Sequence, residues 1–576
     1  MAATTTNGLP PIPLSAPRIL VIGAGSRGHA YAKPISIFRT AHIVGICEPD
    51  PFKRTVFGEQ YIWGPEERSA REWEAFDSWS DWMEYEEVRR ARVEAGEVRK
   101  GHPEFGGVDA VIVSVLDELH VHICKALAPL NLHVLCEKPL ATSLVDVVGI
   151  YDATTTAWEK NGGKKTIFGI CHVLRYSPHN MMLRKLVREE GVIGDVLSVE
   201  HTEPVGWWHF SHSYVRGNWR RKDTSAPSLL TKSCHDIDFL LWLLCSPASP
   251  TSTEKPHLPS TIASSGTLNL FRKARKPKAA GSTTNCLSCP VEKDCIYSAK
   301  RIYVDLHFDQ GDMEWPVKIV VPDIGMRQGT ASVRRKLRNL VPDIEDISAK
   351  EGNASARQKL LDVLAKDYPA GTPDADIKSR NWYGRCVWEC DNDVFDDQHV
   401  AITWDDDPLP TSAESTHEAF APAHRNPIDN SSLNHRAAKT AYFHMIANTQ
   451  VICERRGRIH GTRGEIAYDS TTITVHDFAT GLTATHRPRR EVGGHGGGDS
   501  GLASNFVSAV QAVKNGEMEA EGAQKIFLGC SFEEVVRSHV AVFAAEEAVE
   551  KDGGAVVWSE YWKDKVEGKL NKVVIL

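Results

Sequence analysis

The segment Arg18-Ile19-Leu20-Val21-Ile22, followed at once by Gly23-Ala24-Gly25-Ser26-Arg27-Gly28, constrains the fold of this chain more than any other. A short apolar run that breaks into closely spaced glycines reads as a buried parallel strand, a tight turn and the start of a helix. Gly23 permits the turn, Gly25 lets the backbone approach a pyrophosphate, and Gly28 lets the helix pack close to the strand. Phosphates bound there would lie at the positive end of the helix. The next apolar run, His42-Ile43-Val44-Gly45-Ile46-Cys47, ends at Glu48, 20 residues beyond Gly28. That offset suits a carboxylate bonding the ribose hydroxyls of a dinucleotide. Glu48 opposes a 2′-phosphate and favours NAD, while Lys53 and Arg54 leave NADP open.

The alternation continues with a strand from Val108 to Val115, a helix from Leu119 to Leu130 and a strand from Leu132 to Cys136. The expected fold class is therefore α/β: an N-terminal Rossmann doubly wound parallel sheet. Extra surface helices are expected around Glu74 to Val98, because the stretch from Phe52 to Gly107 exceeds one crossover. A helix near Leu144–Lys160, a strand Thr166–Cys171 and a helix reaching Glu190 follow. Beyond Asp195 strand patterns take over, at Val196–Thr202, Thr261–Leu270, His399–Trp404, Ala438–Met445 and Glu465–Val475. They predict an α+β domain with a large open, mostly antiparallel sheet. One helix, Leu229–Leu244, interrupts them, and helices at Ala503–Lys514 and Gln524–Val549 close the chain. The expected division is a disordered tail at 1–16, a Rossmann domain at 17–150 and a C-terminal domain at 151–576, with an insertion at about 321–380.

At 576 residues the chain needs about two to four cores. A net charge of −8 gives no electrostatic case for nucleic acid or an anionic membrane. No apolar stretch approaches the roughly 20 residues that span a bilayer. The 13 cysteines, odd in number and scattered, fit reduced thiols and a cytoplasmic protein.

Cys136-Glu137-Lys138-Pro139-Leu140 closes a later strand and would put an ammonium group beside a nicotinamide. With Arg175-Tyr176-Ser177-Pro178, His235-Asp236-Ile237-Asp238 and His460-Gly461-Thr462-Arg463-Gly464-Glu465, it follows the glycine turn in an order that resembles the Gfo/Idh/MocA oxidoreductases. The resemblance implies hydride transfer between NAD and a secondary alcohol of a sugar or polyol held between two domains, in a homodimer or homotetramer. It also implies that Lys138 bonds the reacting oxygen and that His235 is the general acid/base, with Arg175 near the substrate. Candidate cofactor contacts are Gly23, Gly25, Ser26, Arg27, Gly28, Glu48, Ser114, His120, Glu137 and Lys138.

One departure stands out. Inositol-dehydrogenase-like members carry an aspartate four residues before the histidine, where this chain has Thr231. A hydroxyl supplies no negative charge, so either Lys232 takes part or another carboxylate approaches His235. A redox-neutral, NAD-dependent glycoside-cleaving cycle and a non-catalytic dinucleotide-binding regulator are the alternatives to a dehydrogenase.

The aromatic and polar segment Trp207 to Arg220 offers stacking faces beside donors, as a polyhydroxylated ligand requires. His209, His212, Arg216 and Trp219 are its candidate substrate contacts; the His-x-x-His spacing lacks accompanying metal ligands. Cys286-Leu287-Ser288-Cys289, Cys295 and Cys386 could supply a structural tetrathiolate zinc site, with Cys390 as the alternative fourth ligand. Asp499 reads as the N-cap of a helix after the glycine-rich loop that holds His495.

Overall fold

In the computed structural model, strand β1 (Arg18–Ile22) is buried along nearly its whole length and lies at the centre of a six-stranded sheet. The structure describes residues 12–64, 68–102, 104–249, 251–324, 344–408, 433, 435–489 and 494–570. Most of the expected N-terminal tail, and residues 325–343 of the expected insertion, lie outside them.

The first sheet runs β3-β2-β1-β4-β5-β6, with every pairing parallel. Its members are β2 (His42–Cys47), β3 (Ala75–Phe76), β4 (Ala110–Val113), β5 (His133–Cys136) and β6 (Phe168–Ile170). Strand order reverses between β1 and β4, which is where such sheets open a crevice for a ligand. The extra helix of the long second crossover is Trp79–Glu94, started by a reciprocal capping box between Ser78 and Asp81. β6 extends this sheet past residue 150, and the helix Gly498–Lys514 returns to cover it. Leu502, Phe506 and Val510 pack in one core with Ile19, Val21 and Ile112.

The second sheet has nine strands in the order β14-β13-β12-β11-β7-β10-β9-β8-β15. They are β7 (Val196–Pro204), β8 (Thr261–Thr267), β9 (Asp397–Trp404), β10 (Lys439–Ile446), β11 (Arg456–Gly461), β12 (Gly464–Tyr468), β13 (Ile473–Asp477), β14 (Thr483–His486) and β15 (Val556–Val557). Only β7 and β10 pair in parallel. Its inner face buries Val199, Ile402, Phe443 and Ile459 against the helices Cys234–Leu244 and Phe532–Glu550.

Three expected elements are divided. Glu465–Val475 is β12 and β13, because Asp469 accepts from the backbone N–H groups of Thr471 and Thr472 and turns the chain. Gln524–Val549 breaks at Gly529, which adopts φ +58°, before Ser531 and Glu534 cap the long helix Phe532–Glu550. Leu229–Leu244 breaks at Lys232–Ser233 into Ser228–Thr231 and Cys234–Leu244.

A smaller core holds the segment between β8 and β9 together, with Ile302, Tyr303, Phe308, Leu360 and Leu364 at its centre.

Candidate active site

The glycine turn is built as its spacing requires. Gly23 adopts φ +101°, and a Cβ there would meet the Ser114 carbonyl at 2.5 Å. A Cβ on Gly28 would lie 2.2 Å from the Gly23 carbonyl. Around Gly25 a Cβ would meet nothing within 4 Å, so open space faces the turn at the point where a pyrophosphate would pass. The helix Ser26–Phe38 begins there without any side-chain cap, leaving its first N–H groups to a ligand. These features fit a dinucleotide.

Glu48 is buried and grips the turn. Its Oε2 accepts from Ala24 N at 2.8 Å and its Oε1 from Asp50 N at 3.0 Å. Ser114 Oγ donates to the carbonyls of Ile22 and Gly23, and His120 Nδ1 is 2.8 Å from the Pro139 carbonyl oxygen. These two residues support the crevice from behind. Ser26 is exposed at the helix start.

Arg27 is engaged elsewhere than on a phosphate. Its guanidinium is ion-paired to Glu137 at 2.5 Å and to Asp499 at 2.7 Å. Asp499 does not cap its helix, since Gly497 holds that position. Instead it joins Arg27 and lies 3.3 Å from His495 Nδ1. The pair with Arg27 fixes Glu137 and so the start of the Glu-Lys-Pro turn.

Lys138 is half-buried, and its Nζ donates to the Thr231 carbonyl at 2.7 Å. That contact links the crevice of the first sheet to the broken helix of the second domain. His235, four residues on, is 2 % exposed. Its Nε2 lies 2.7 Å from an Arg455 guanidinium nitrogen and 3.5 Å from Asp236 Oδ2. Arginine can only donate, so Nε2 is the acceptor and the ring proton sits on Nδ1. His235 Nδ1 is buried with no partner among the described residues. Burial, with Arg455, Lys138 and Lys232 nearby, pushes the His235 pKa well below its ordinary value. The imidazole is neutral and presents one N–H.

Behind His235 lies a buried ionic network. Lys232 Nζ is 2.9 Å from Glu203, and Arg455 Nε is 3.0 Å from Glu203 and 2.8 Å from Asp236. Asp236 is also 3.0 Å from His201 Nε2, whose other nitrogen meets Tyr468. Against the upward push of burial, Arg455 holds the Asp236 carboxyl below the usual range. The carboxylate that approaches His235, in place of one at position 231, is Asp236, and the same Arg455 nitrogen contacts both groups. Lys232 also lies 2.9 Å from Cys453 Sγ, which is 3.8 Å from His209 Nδ1. Arg455, Glu203 and Cys453 were not legible as site residues: they lie in polar, motif-free stretches and reach the site only through the pairing of β7 with β10 and β11.

The aromatic segment divides between two places. His209 faces Lys232 and Cys453, and Trp219 donates to Asp117 Oδ2 at 2.8 Å, near Lys138. His212 turns away into the smaller core, where its Nδ1 meets Tyr303 OH at 2.9 Å and its ring stacks on Tyr383. Arg175 is bidentate to Asp238, at 2.7 and 2.8 Å, and carries no free donor toward the crevice.

Arg216 accounts for the cysteines. It is fully buried and donates to the carbonyls of Arg385 and Tyr297 and to Cys286 Sγ at 3.4 Å, with Cys386 and Cys390 also beside it. Of the expected zinc ligands Cys286, Cys289, Cys295 and Cys386, Cys295 lies near Cys286 and Cys289, and Cys386 near Cys286, but among the described residues their donor atoms do not all come within 4.8 Å of one another. The Arg216 guanidinium lies beside these thiols, and burial raises the Cys386 pKa to about 11. The two cysteine segments are joined instead by a backbone bridge between Asn285 and Arg385. Among the described residues, the three metal-capable side chains with donor atoms within 4.8 Å of one another are Asp397, His399 and His444, on β9 and β10.

Similarity to known proteins lies in the first domain and in the overall fold. Residues 17–158 match the Gfo/Idh/MocA family model, described as an oxidoreductase family with an NAD-binding Rossmann fold. The 2,7-anhydro-N-acetylneuraminate hydratase of Escherichia coli is 32% identical over 137 residues, 24% of this chain and 34% of that protein. The levoglucosan dehydrogenase of Pseudarthrobacter phenanthrenivorans is 25% identical over 174 residues, 30% of this chain and 43% of that one. The chain thus spans less than half the length of these relatives. A solved levoglucosan dehydrogenase, in complex with NADH and levoglucosan, superposes with a TM-score of 0.50 at 14% identity, covering 94% of this chain and 98% of the other. An oxidoreductase domain protein from Kribbella flavida gives 0.52 at 14% identity, covering 94% and 99%. At that identity the likeness establishes the fold.

Proposed function

We propose that this chain, whose residues 17–158 match the NAD-binding Rossmann model of the Gfo/Idh/MocA oxidoreductases, is an NAD-dependent dehydrogenase acting on a secondary alcohol of a sugar or polyol. The observation that carries this reading is the meeting of Lys138 and the broken helix before His235, at the crevice beside the uncapped glycine turn. A nicotinamide held at the glycine turn of Gly23, Gly25 and Gly28 would supply the hydride acceptor or donor. Lys138, oriented by the Thr231 carbonyl, bonds the reacting oxygen: as a neutral amine it takes the hydroxyl proton on oxidation and becomes the ammonium, which returns the proton on reduction. His235 is a fixed donor rather than a base, because removing its Nδ1 proton while Arg455 holds Nε2 would leave an imidazolate. Its N–H and the Lys138 ammonium together favour an oxygen on which negative charge develops. Trp219 and His209 offer a stacking face and a polar group to the rest of the ligand. Glu48 favours NAD over NADP.

A redox-neutral cycle is the second reading. The fixed donor at His235 favours it, since transient oxidation followed by elimination needs an enolate-like oxygen stabilised in place, and the similar E. coli protein is named a hydratase. Denaturing the purified protein and identifying any released dinucleotide separates the two. Empty protein that reduces added NAD with members of a polyol panel supports the dehydrogenase. Retained cofactor without net reduction supports the neutral cycle, and failure to bind any dinucleotide contradicts both.

A further inference from the structure

Away from Lys138 and His235, a cavity of about 420 Å³ opens where the helices Pro178–Arg184, Cys234–Leu244 and Phe532–Glu550 meet the loop that follows Ser246. Its volume lies in the range of sites that hold small molecules, roughly 300–1,000 Å³. Four cations line it, and they differ in what they already hold. Arg175 is committed to Asp238, and Lys525 lies 3.0 Å from Glu521. Arg184 stands over the Trp242 ring and donates to the carbonyls of Pro247 and Ala248, but its Nε is sealed from water without a partner.

Arg537 holds nothing. It is 4% exposed, its Nε is likewise sealed, and it makes no hydrogen bond or ion pair with any described residue. The nearby Glu534 is already used, accepting from Ser531 N at 2.9 Å and from Ser246 Oγ. Arg537 therefore forms no ion pair within 4 Å among the described residues, although Glu189, Glu254 and Glu534 also line the cavity, and its terminal nitrogens are left to a ligand.

We propose that this cavity is a second ligand site, in which the carboxylate or phosphate of a small molecule pairs with Arg537. Guanidinium binds both oxyanions through paired, charge-assisted hydrogen bonds. The cavity exceeds the volume of a bare oxyanion, so the ligand also carries a body that lies along Trp242. The helix Cys234–Leu244 bears Trp242 at this site and His235 at the crevice, so the two sites share one rigid element.

Calorimetric titration of the full chain at constant ionic strength tests the proposal, with inorganic phosphate and lactate as separate probes on wild type and Arg537→Gln. Saturable binding of one equivalent is expected, weakened about tenfold or more in the variant by loss of a charge-assisted bond. Phosphate binding alone assigns a phosphorylated ligand, and lactate binding alone a carboxylate. Without added anion, Arg537→Gln should melt no lower than wild type, since it removes an unpaired buried charge. Absence of saturable binding by either probe, binding that Arg537→Gln leaves unchanged, or a variant that melts well below wild type would overturn the site.

Discussion

Arg455 decides which nitrogen of His235 carries the proton, and that single contact sets the chemistry the histidine can do. With Nε2 accepting from a guanidinium at 2.7 Å, the ring cannot act as a base at neutral pH. Replacing Arg455 with Met frees Nε2 and removes the positive charge next to it, so the His235 pKa rises toward its ordinary value of about 6.5. The pH dependence of kcat/KM should then gain an ionisation near neutrality that wild type lacks. The variant should also melt lower, because Glu203 and Asp236 lose a buried partner at a cost of roughly 3–5 kcal/mol. Superimposable pH profiles for the two proteins would remove Arg455 from control of the imidazole. None of this could be read along the sequence, where Arg455 is one of several arginines in a polar stretch. Lys138 and His235, by contrast, were singled out by short motifs that resemble the family's, although the partners of both, the Thr231 carbonyl and Arg455, lie far off in sequence.

At the scale of single elements, the glycine turn separates fold from binding. Gly25→Ala places a methyl group in open space, so the thermal midpoint should stay near wild type while NAD affinity falls about tenfold or more from obstruction of the pyrophosphate path. Gly28→Ala drives a Cβ to 2.2 Å from the Gly23 carbonyl and should lower the midpoint instead. Thermal scans and fluorescence titration with NAD check both; equal melting loss in the two variants would contradict the distinction. Strands that are buried on both faces, such as β1 and β4, announce themselves as continuous apolar runs. β11, with the sequence RGRIHG, does not, because only Ile459 and Gly461 are buried and the remainder is charged or polar. The break between Thr231 and Cys234 was also hidden: no glycine or proline marks it, and the Thr231 carbonyl at its start accepts from distant Lys138.

For the molecule as a whole, buried neutral histidines predict the response to acid. Burial lowers the pKa of His172 and His212 to about 3 and that of His539 to about 4. Below an unfolded value near 6.5 the unfolded chain takes up protons that these folded imidazoles refuse, so stability falls with pH down to about 4. The loss is on the order of 1 kcal/mol per histidine per pH unit, and the thermal midpoint should drop steadily between pH 7 and pH 5. A midpoint constant across that range would mean that these rings ionise in the folded state. The two-layer plan was legible because the Rossmann pattern and the later strand patterns differ in periodicity. The return of the helix Gly498–Lys514 onto the first sheet was not, since an amphipathic helix does not state which core it covers. The most direct test of the account is turnover of NAD with a sugar and polyol panel, followed at the reduced-nicotinamide band, for wild type and Lys138→Ala with NAD binding titrated separately. Reduction of NAD by wild type, a loss of turnover of about 10²-fold or more in the variant, and NAD binding that is nearly preserved are the predicted results. A variant that turns over like wild type, or one that loses NAD binding and turnover in equal measure, would contradict the placement of Lys138 at the reacting oxygen.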